Sequence, residues 1–364
     1  MSRQSASGNS PLARFFIADL CGLWMLHDPL NLLKSKDKEK TMSTVKVGFL
    51  GAGDISLLHA EGIAETPGVE LKGLWNRTRS TAEDKASKFG CQVYDTADEL
   101  VNDSEIDVVY VLTNLETHLE YALQAINAGK HTLVEKPVGQ TVEEIRQVQE
   151  AAQKAGVQCA PVHNYIYEDG VRRTKELIDS GKLGKVTSVY VLYNIHHPEE
   201  VCARYPGVIR QILTHHTYIS QYLVGAPQTV SCLKATINDG SVPQENIAMV
   251  TLQLPTGTLC HLCASFANDD HAGDPWTCMI KVIGQKGSTR YSYRDWVENT
   301  PAVVHSQTYS AYPYTIKNVG KYFIEECIGR GAAPLSTLED AIVCQQVIEA
   351  SETSAEEGQH IQLV

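Results

Sequence analysis

Val45–Lys–Val–Gly–Phe–Leu–Gly51–Ala–Gly53–Asp–Ile–Ser56 is the stretch that decides the fold. Val45 to Leu50 is a short apolar run of strand length, closed by Gly51. A helical stretch comes at once after it, which is the context a dinucleotide-binding glycine turn requires. Gly51 permits the tight turn, and Gly53 lets the backbone approach a pyrophosphate. That group rests on the helix start, where free N–H groups and the positive end of the helix dipole meet it. Ala52, Asp54 and Ile55 complete the turn, and Ser56 replaces the third glycine with a residue small enough for close helix–sheet packing. A glycine pair of this kind can also be a plain structural turn, so its meaning depends on the chain beyond it.

That chain alternates regularly. Val69 to Trp75, Asp107 to Leu112, His131 to Val134 and Val157 to Val162 read as further buried strands. Between them, Ser80 with Glu83, Thr96 with Glu99 and Thr141 with Glu144 predict capping boxes, and Gly90 and Gly156 predict helix stops. Strands alternating with helices of this length predict a parallel sheet with right-handed crossovers, an α/β Rossmann domain over residues 43–163. Beyond it the rhythm changes. A helix from Val171 to Ser180 leads into consecutive strand-like runs at Val186–Tyr193, Ala248–Leu254, Thr258–Phe266 and Thr277–Ile283. Residues 164–364 therefore read as an α+β domain with a large open, mostly antiparallel sheet, ending in a helix capped by Ser336 and Glu339.

The second strand ends Trp75–Asn76–Arg77–Thr78, where NAD enzymes place an acid on the ribose 2′-hydroxyl. Asn76 carries no charge to repel a 2′-phosphate, and Arg77 can pair with one in fork geometry, so NADP is expected over NAD. The other reading makes Arg77 and Arg79 a solvated helix start, with NAD bound through Asn76.

With 43% hydrophobic and 20% charged residues, the 364-residue chain has a globular composition and room for two domains. A net charge of −12 argues against nucleic acid or anionic lipid as partner. No apolar run reaches membrane-spanning length. The ten cysteines are dispersed, which predicts free thiols in a reducing, cytoplasmic compartment. Cys260 and Cys263 form a lone close pair within a strand, a packing feature rather than a zinc site, and no metal is expected. Residues 1–42 differ from the rest: Ser-rich, then apolar, then basic. They read as a disordered extension; a mitochondrial transit peptide is the alternative, opposed by Asp19, Asp28 and Asp37.

Thr113–Asn114–Leu–Glu–Thr–His118, then Ala128–Gly129–Lys130–His131 and Glu135–Lys136–Pro137, together with Gly181–Lys–Leu–Gly184, Gly284–Gln–Lys–Gly287 and Leu338–Glu–Asp–Ala341, closely resemble the glucose–fructose oxidoreductase/inositol dehydrogenase (Gfo/Idh/MocA) family from Val45 onward. The resemblance implies hydride transfer between a nicotinamide and a carbon bearing a secondary hydroxyl, on sugars, cyclitols or glycosides. It also implies homo-oligomers built through the open sheet. It places Thr113, Asn114, His118, Glu135 and Lys136 around the cofactor, and Lys136 between cofactor and substrate.

The family's second cluster, an Asp and a His one helical turn apart, falls on Gln211 and His215, counted back from Gly225. Positions four apart share a helix face, so Gln211 is expected to reach the His215 ring. A histidine suits the role of base. Gln211 can orient the ring but cannot stabilise its cation, a loss of roughly 1–2 kcal/mol, or ~10-fold in rate. His216 is the alternative base if the register slips by one. Asn164, Tyr165, His215 and His216 are the expected substrate contacts, with packing the competing role for Asn164 and Tyr165. His196 and His197 read as loop residues near substrate. Two further readings stand beside the dehydrogenase: a non-catalytic dinucleotide-binding regulator like the fungal galactose corepressor, which Gln211 keeps open, and an enzyme that retains its cofactor between two sugars.

Overall fold

The computed structural model describes residues 44–237, 242–267, 276–292 and 311–363; the extension expected over residues 1–42 lies outside them. The first sheet has six parallel strands: β1 Val45–Leu50, β2 Val69–Trp75, β3 Gln92–Val93, β4 Val108–Val111, β5 His131–Val134 and β6 Cys159–Pro161. Their order, β3-β2-β1-β4-β5-β6, is that of a doubly wound dinucleotide fold. Helices α1 Ile55–Ala64, α2 Arg79–Phe89, α3 Ala97–Asn102, α4 His118–Asn127 and α5 Val142–Ala155 form the crossovers. Both faces of β1 are packed: Phe49 stacks on Tyr110 of β4 at 5.5 Å, and a Cβ on Gly48 would come within 2.8 Å of Leu100 and Ile106. Strand order reverses between β1 and β4, so the crevice opens beyond Leu50 and Val111.

Four caps differ from expectation. Thr78, in extended conformation, precedes α2, so Ser80 is already helical and Glu83 pairs with Arg79 instead. Thr96 and Thr141 do accept from Glu99 N and Glu144 N, but each glutamate reaches back one residue further, to the amides of Asp95 and Gln140. At the last helix the box is Thr337 with Asp340, because the Ser336 hydroxyl is drawn to His163 Nδ1 at 2.7 Å.

The second sheet has seven strands: β7 Val186–Ile195, β8 Thr229–Ala235, β9 Ile247–Gln253, β10 Leu259–Ser265, β11 Trp276–Gly284, β12 Ser288–Ser292 and β13 Ile361–Gln362. Their order is β12-β11-β7-β10-β9-β8-β13, antiparallel except for the β7/β10 pair. Helices α6 Asp169–Asp179, α7 Glu199–Cys202, α8 Thr214–Val224, α9 Ala311–Tyr322 and α10 Leu338–Glu357 accompany this sheet among the described residues. One face of the sheet packs on α8 and α10. Helix α10 also ties the two sheets together: Glu349 accepts from Val142 N at the start of α5, and Ser354 Oγ accepts from Cys232 N in β8. The other face carries a row aligned by strand register: Met279, Leu192, Cys263, Met249 and Leu233. Cys260 and Cys263 are buried free thiols. No helix among the described residues is long and apolar enough to cross a membrane.

Candidate active site

The glycine turn is built as a cradle. Gly51 has φ +105°, and a Cβ there would lie 2.6 Å from the Leu112 carbonyl oxygen, so no other residue fits. Nothing lies within 4 Å of the position a Gly53 Cβ would take, and Gly53 is exposed. No acceptor among the described residues takes the amides of Gly53, Asp54 or Ile55, and α1 has no side-chain cap. Free donors at an open helix start fit an anionic pyrophosphate. Buried Ser56 donates its hydroxyl to Gly53 O at 2.6 Å, which sets the turn against the helix. Asn76 Oδ1 accepts from Ala52 N at 3.1 Å, coupling the end of β2 to the cradle. Arg79 is engaged by Glu83 and Asp95, whereas Arg77 is exposed and makes no ion pair among the described residues.

The other rim comes from β4 and β5. Asn114 is exposed and Thr113 half-buried, with the Thr117 hydroxyl donating to Thr113 Oγ1 at 2.9 Å. His118, expected at the cofactor, is buried instead. Its two ring nitrogens meet the carbonyls of Pro137 at 2.8 Å and Thr113 at 2.9 Å, so it has no polar atom left for a ligand. It staples the loop after β4 to the loop after β5. Glu135 is buried as well and faces inward, accepting from Lys136 N at 3.0 Å and meeting His59 Nε2 of α1 at 3.0 Å. Burial raises the Glu135 carboxyl, but His59 and Lys136 outweigh it and hold the group below the usual carboxylate range. Sequence reasoning misses His59; its signal is a histidine in the second turn of the fingerprint helix.

Lys136 projects from the end of β5 and donates Nζ to the Gln211 carbonyl oxygen at 2.9 Å. Burial brings its pKa down to about 8, against the upward pull of Glu135. Across from it runs the helix of the histidines. Its first turn, Ile209–Leu213, is π-helical and passes into α8 at Thr214. The π turn takes more residues per revolution, so positions four apart no longer stack there. This corrects the Gln211–His215 pairing: Gln211 contributes its backbone carbonyl to Lys136, and His215 Nδ1 meets the hydroxyl of Tyr218 at 2.7 Å. Burial holds His215 well below the ordinary histidine range, and the Lys136 charge lowers it further, followed by His216 and His163. The ring is therefore neutral at pH 7.

His216 points elsewhere. It is buried toward Tyr193 of β7, neither ring nitrogen has a partner among the described residues, and burial takes its pKa to about 3. Its packing lies against β7, so the alternative register gains no support. Asn164 and Tyr165 are buried: Asn164 is held between Tyr218 and Thr315, and the Tyr165 ring meets His215 edge-on at 5.1 Å. His163, pushed down to about 3 by burial and by Lys136, stacks on Tyr218 at 4.2 Å. His197 packs on Phe266 at 4.9 Å. Among the described residues no group of three His, Cys, Asp or Glu side chains could hold a metal ion.

An open anion cradle at the switch point of a parallel sheet, with a lysine past the end of a neighbouring strand and the histidine helix across from it, defines a dinucleotide-dependent oxidoreductase. The comparisons narrow the class. The model of the oxidoreductase family with NAD-binding Rossmann fold (Gfo/Idh/MocA) matches residues 45–163, and that of the family's C-terminal domain matches residues 171–290. The chain belongs to this family. It is 28% identical to the scyllo-inositol 2-dehydrogenase (NADP(+)) IolW of Bacillus subtilis, over 92% of this chain and 99% of that one. It is 26% identical to the inositol 2-dehydrogenase of Rhizobium meliloti, over 67% and 74%. Among solved structures, a putative myo-inositol dehydrogenase from Sinorhizobium meliloti aligns with TM-score 0.79 at 23% identity, covering 88% of this chain and all (100%) of that one. The scyllo-inositol dehydrogenase of Lactobacillus casei, with bound NAD(H) and scyllo-inositol, aligns with TM-score 0.76 at 20% identity, covering 88% and 99%. Both structures share this fold.

Proposed function

We propose that this chain is an NADP-preferring dehydrogenase that moves a hydride between the nicotinamide and a secondary-alcohol carbon of a cyclitol, sugar or glycoside. The observation that carries the reading is the approach of Lys136 to the turn that delivers His215: Nζ sits on the Gln211 carbonyl, at the π turn that leads into the histidine helix. The whole-length relative that uses NADP on scyllo-inositol supports both the substrate class and the cofactor. Arg77, unpaired among the described residues at the end of β2, supports NADP independently.

When bound, NADP+ supplies the hydride acceptor. The chain's own residues do the rest. The amides of Gly53, Asp54 and Ile55 would hold the pyrophosphate, and Asn76 and Arg77 would take the adenosine ribose and its 2′-phosphate. The Lys136 ammonium donates to the substrate oxygen, and neutral His215 accepts the hydroxyl proton as the C–H bond breaks. Tyr165 walls the histidine on one side. The chain works as a homo-oligomer closed through the open face of the second sheet, where Met249 and Leu233 are 45% and 76% exposed. Nine free cysteines among the described residues support a reducing, cytoplasmic setting.

Initial rates with NADP+ and NAD+ against myo-inositol, scyllo-inositol, glucose and simple glycosides test the proposal. At least one of these should reduce NADP+, with kcat/KM above that for NAD+. NADPH binding with no turnover across the panel would favour the regulator instead.

A further inference from the structure

A buried chain of hydrogen bonds leads away from His215, and counting its protons gives it a direction. The Thr315 hydroxyl lies 2.7 Å from the carbonyl oxygen of Tyr312, an atom that can only accept. Two oxygens at that distance with no proton between them would repel, so the Thr315 proton lies there. The Thr315 oxygen is then the acceptor for Asn164, and the amide group of Asn164 that faces it must be the NH2. Asn164 Oδ1 is thereby turned to Tyr218, 3.0 Å away. A carbonyl oxygen needs a donor, so the single phenolic proton of Tyr218 goes to Asn164. Tyr218 now has only lone pairs left. One takes the Tyr165 amide at 3.2 Å, and the other faces His215 Nδ1 at 2.7 Å. The proton in that last contact must come from the imidazole. All of these side chains are buried, and each proton and lone pair counted has a protein partner.

We propose that Tyr218, aimed by Asn164 and Thr315, is the positioning residue that fixes His215 as its Nδ1–H tautomer and leaves Nε2 as the proton acceptor. It supplies the orientation of the ring that a carboxylate at position 211 would otherwise provide. The assignment rests on the reading of His215 as the base. In the reaction, the substrate O–H bond breaks and an Nε2–H bond forms. The ring becomes a cation, its existing Nδ1–H bond to the Tyr218 oxygen strengthens, and no second proton moves. Tyr218 also stacks on His163, so its ring is held independently of its hydroxyl.

The test is nitrogen NMR on protein with 15N-labelled histidine, the His215 signals being identified by their loss in His215→Gln. Wild-type protein should show a protonated Nδ1 and a bare Nε2. Tyr218→Phe keeps the stacked ring and should shift the population toward Nε2–H, with kcat falling about 5- to 10-fold and KM nearly unchanged. Thr315→Val, further along the chain from the ring, should move the same signals less. An Nε2–H tautomer in the wild type, or no change in Tyr218→Phe, overturns the assignment. Wild-type turnover in His215→Gln would instead overturn the reading of His215 as base, an outcome that the tautomer measurement does not share.

Discussion

Lys136 and His215 are held in complementary states by the same environment. Burial and proximity disfavour every additional positive charge, which brings Lys136 to about 8 and His215 well below its usual value. These states set the sign of the pH dependence. Lys136 keeps its proton below about 8 and loses it above, while His215 stays unprotonated throughout neutrality. The kcat/KM for alcohol oxidation should therefore be level from about pH 6.5 to 7.5 and fall as pH rises through about 8. A pH–rate profile checks this, and a rise through that value would remove the ammonium from the mechanism. Lys136→Ala should lower kcat by about 10²-fold or more with little loss of stability, measured by steady-state rates beside thermal melts. At the far end of the proposed cofactor site, Arg77→Ala would remove the charge-assisted bond to the 2′-phosphate that the NADP reading assigns to it. It should weaken NADPH about 10-fold or more and leave NADH nearly unchanged in paired titrations.

The elements place these residues by means only partly legible in the sequence. The fingerprint, the alternating strands and the glycine stops at Gly90 and Gly156 are readable because each is local: a run length, a left-handed turn, a buried face. The cradle residues come from the same local logic. Distant partners set what cannot be read. Ser336 looks like a cap but serves His163, and His118 looks like a ligand but bridges two backbone loops. Counting 3.6 residues per turn puts Gln211 on the face of His215, and the π turn at Ile209–Leu213 breaks that count. Tyr218 sits three residues after His215, a visible spacing with no visible partner, since Asn164 and Thr315 arrive from other elements. Short strands such as β3 and β13 lack the length to show a period. The His59–Glu135 pair joins α1 to the loop that carries Lys136, so His59→Leu should act across elements. It leaves a buried carboxylate short of a partner and should cost about 1–3 kcal/mol in denaturant melts, with lowered kcat. At the capping box of α10, Thr337→Ala should cost about 1 kcal/mol in denaturant melts, because the Asp340 amide loses its side-chain acceptor.

Across the whole molecule, the first sheet carries the cradle and Lys136, and the second domain brings the histidine helix to that lysine. Helix α10 anchors to α5 and β8 at once, and Arg210 within the π turn forms a bidentate pair with Glu352 of α10 at 2.7 Å. The histidine helix is thus braced by the same element that joins the sheets. In the proposed assembly, the opposite face of the second sheet would offer its apolar row to another copy. Leu233→Asp with Met249→Asp should convert an oligomer to monomers in sedimentation, and an unchanged mass would remove the sheet from the interface. Every one of these roles depends on a dinucleotide seated at the open helix start beside Gly53. Fluorescence titration of the purified chain with NADPH and NADH measures that directly. Saturable binding of NADPH is expected, tighter than NADH and lost in Gly53→Asp. No saturable binding of either dinucleotide at millimolar concentration would contradict it.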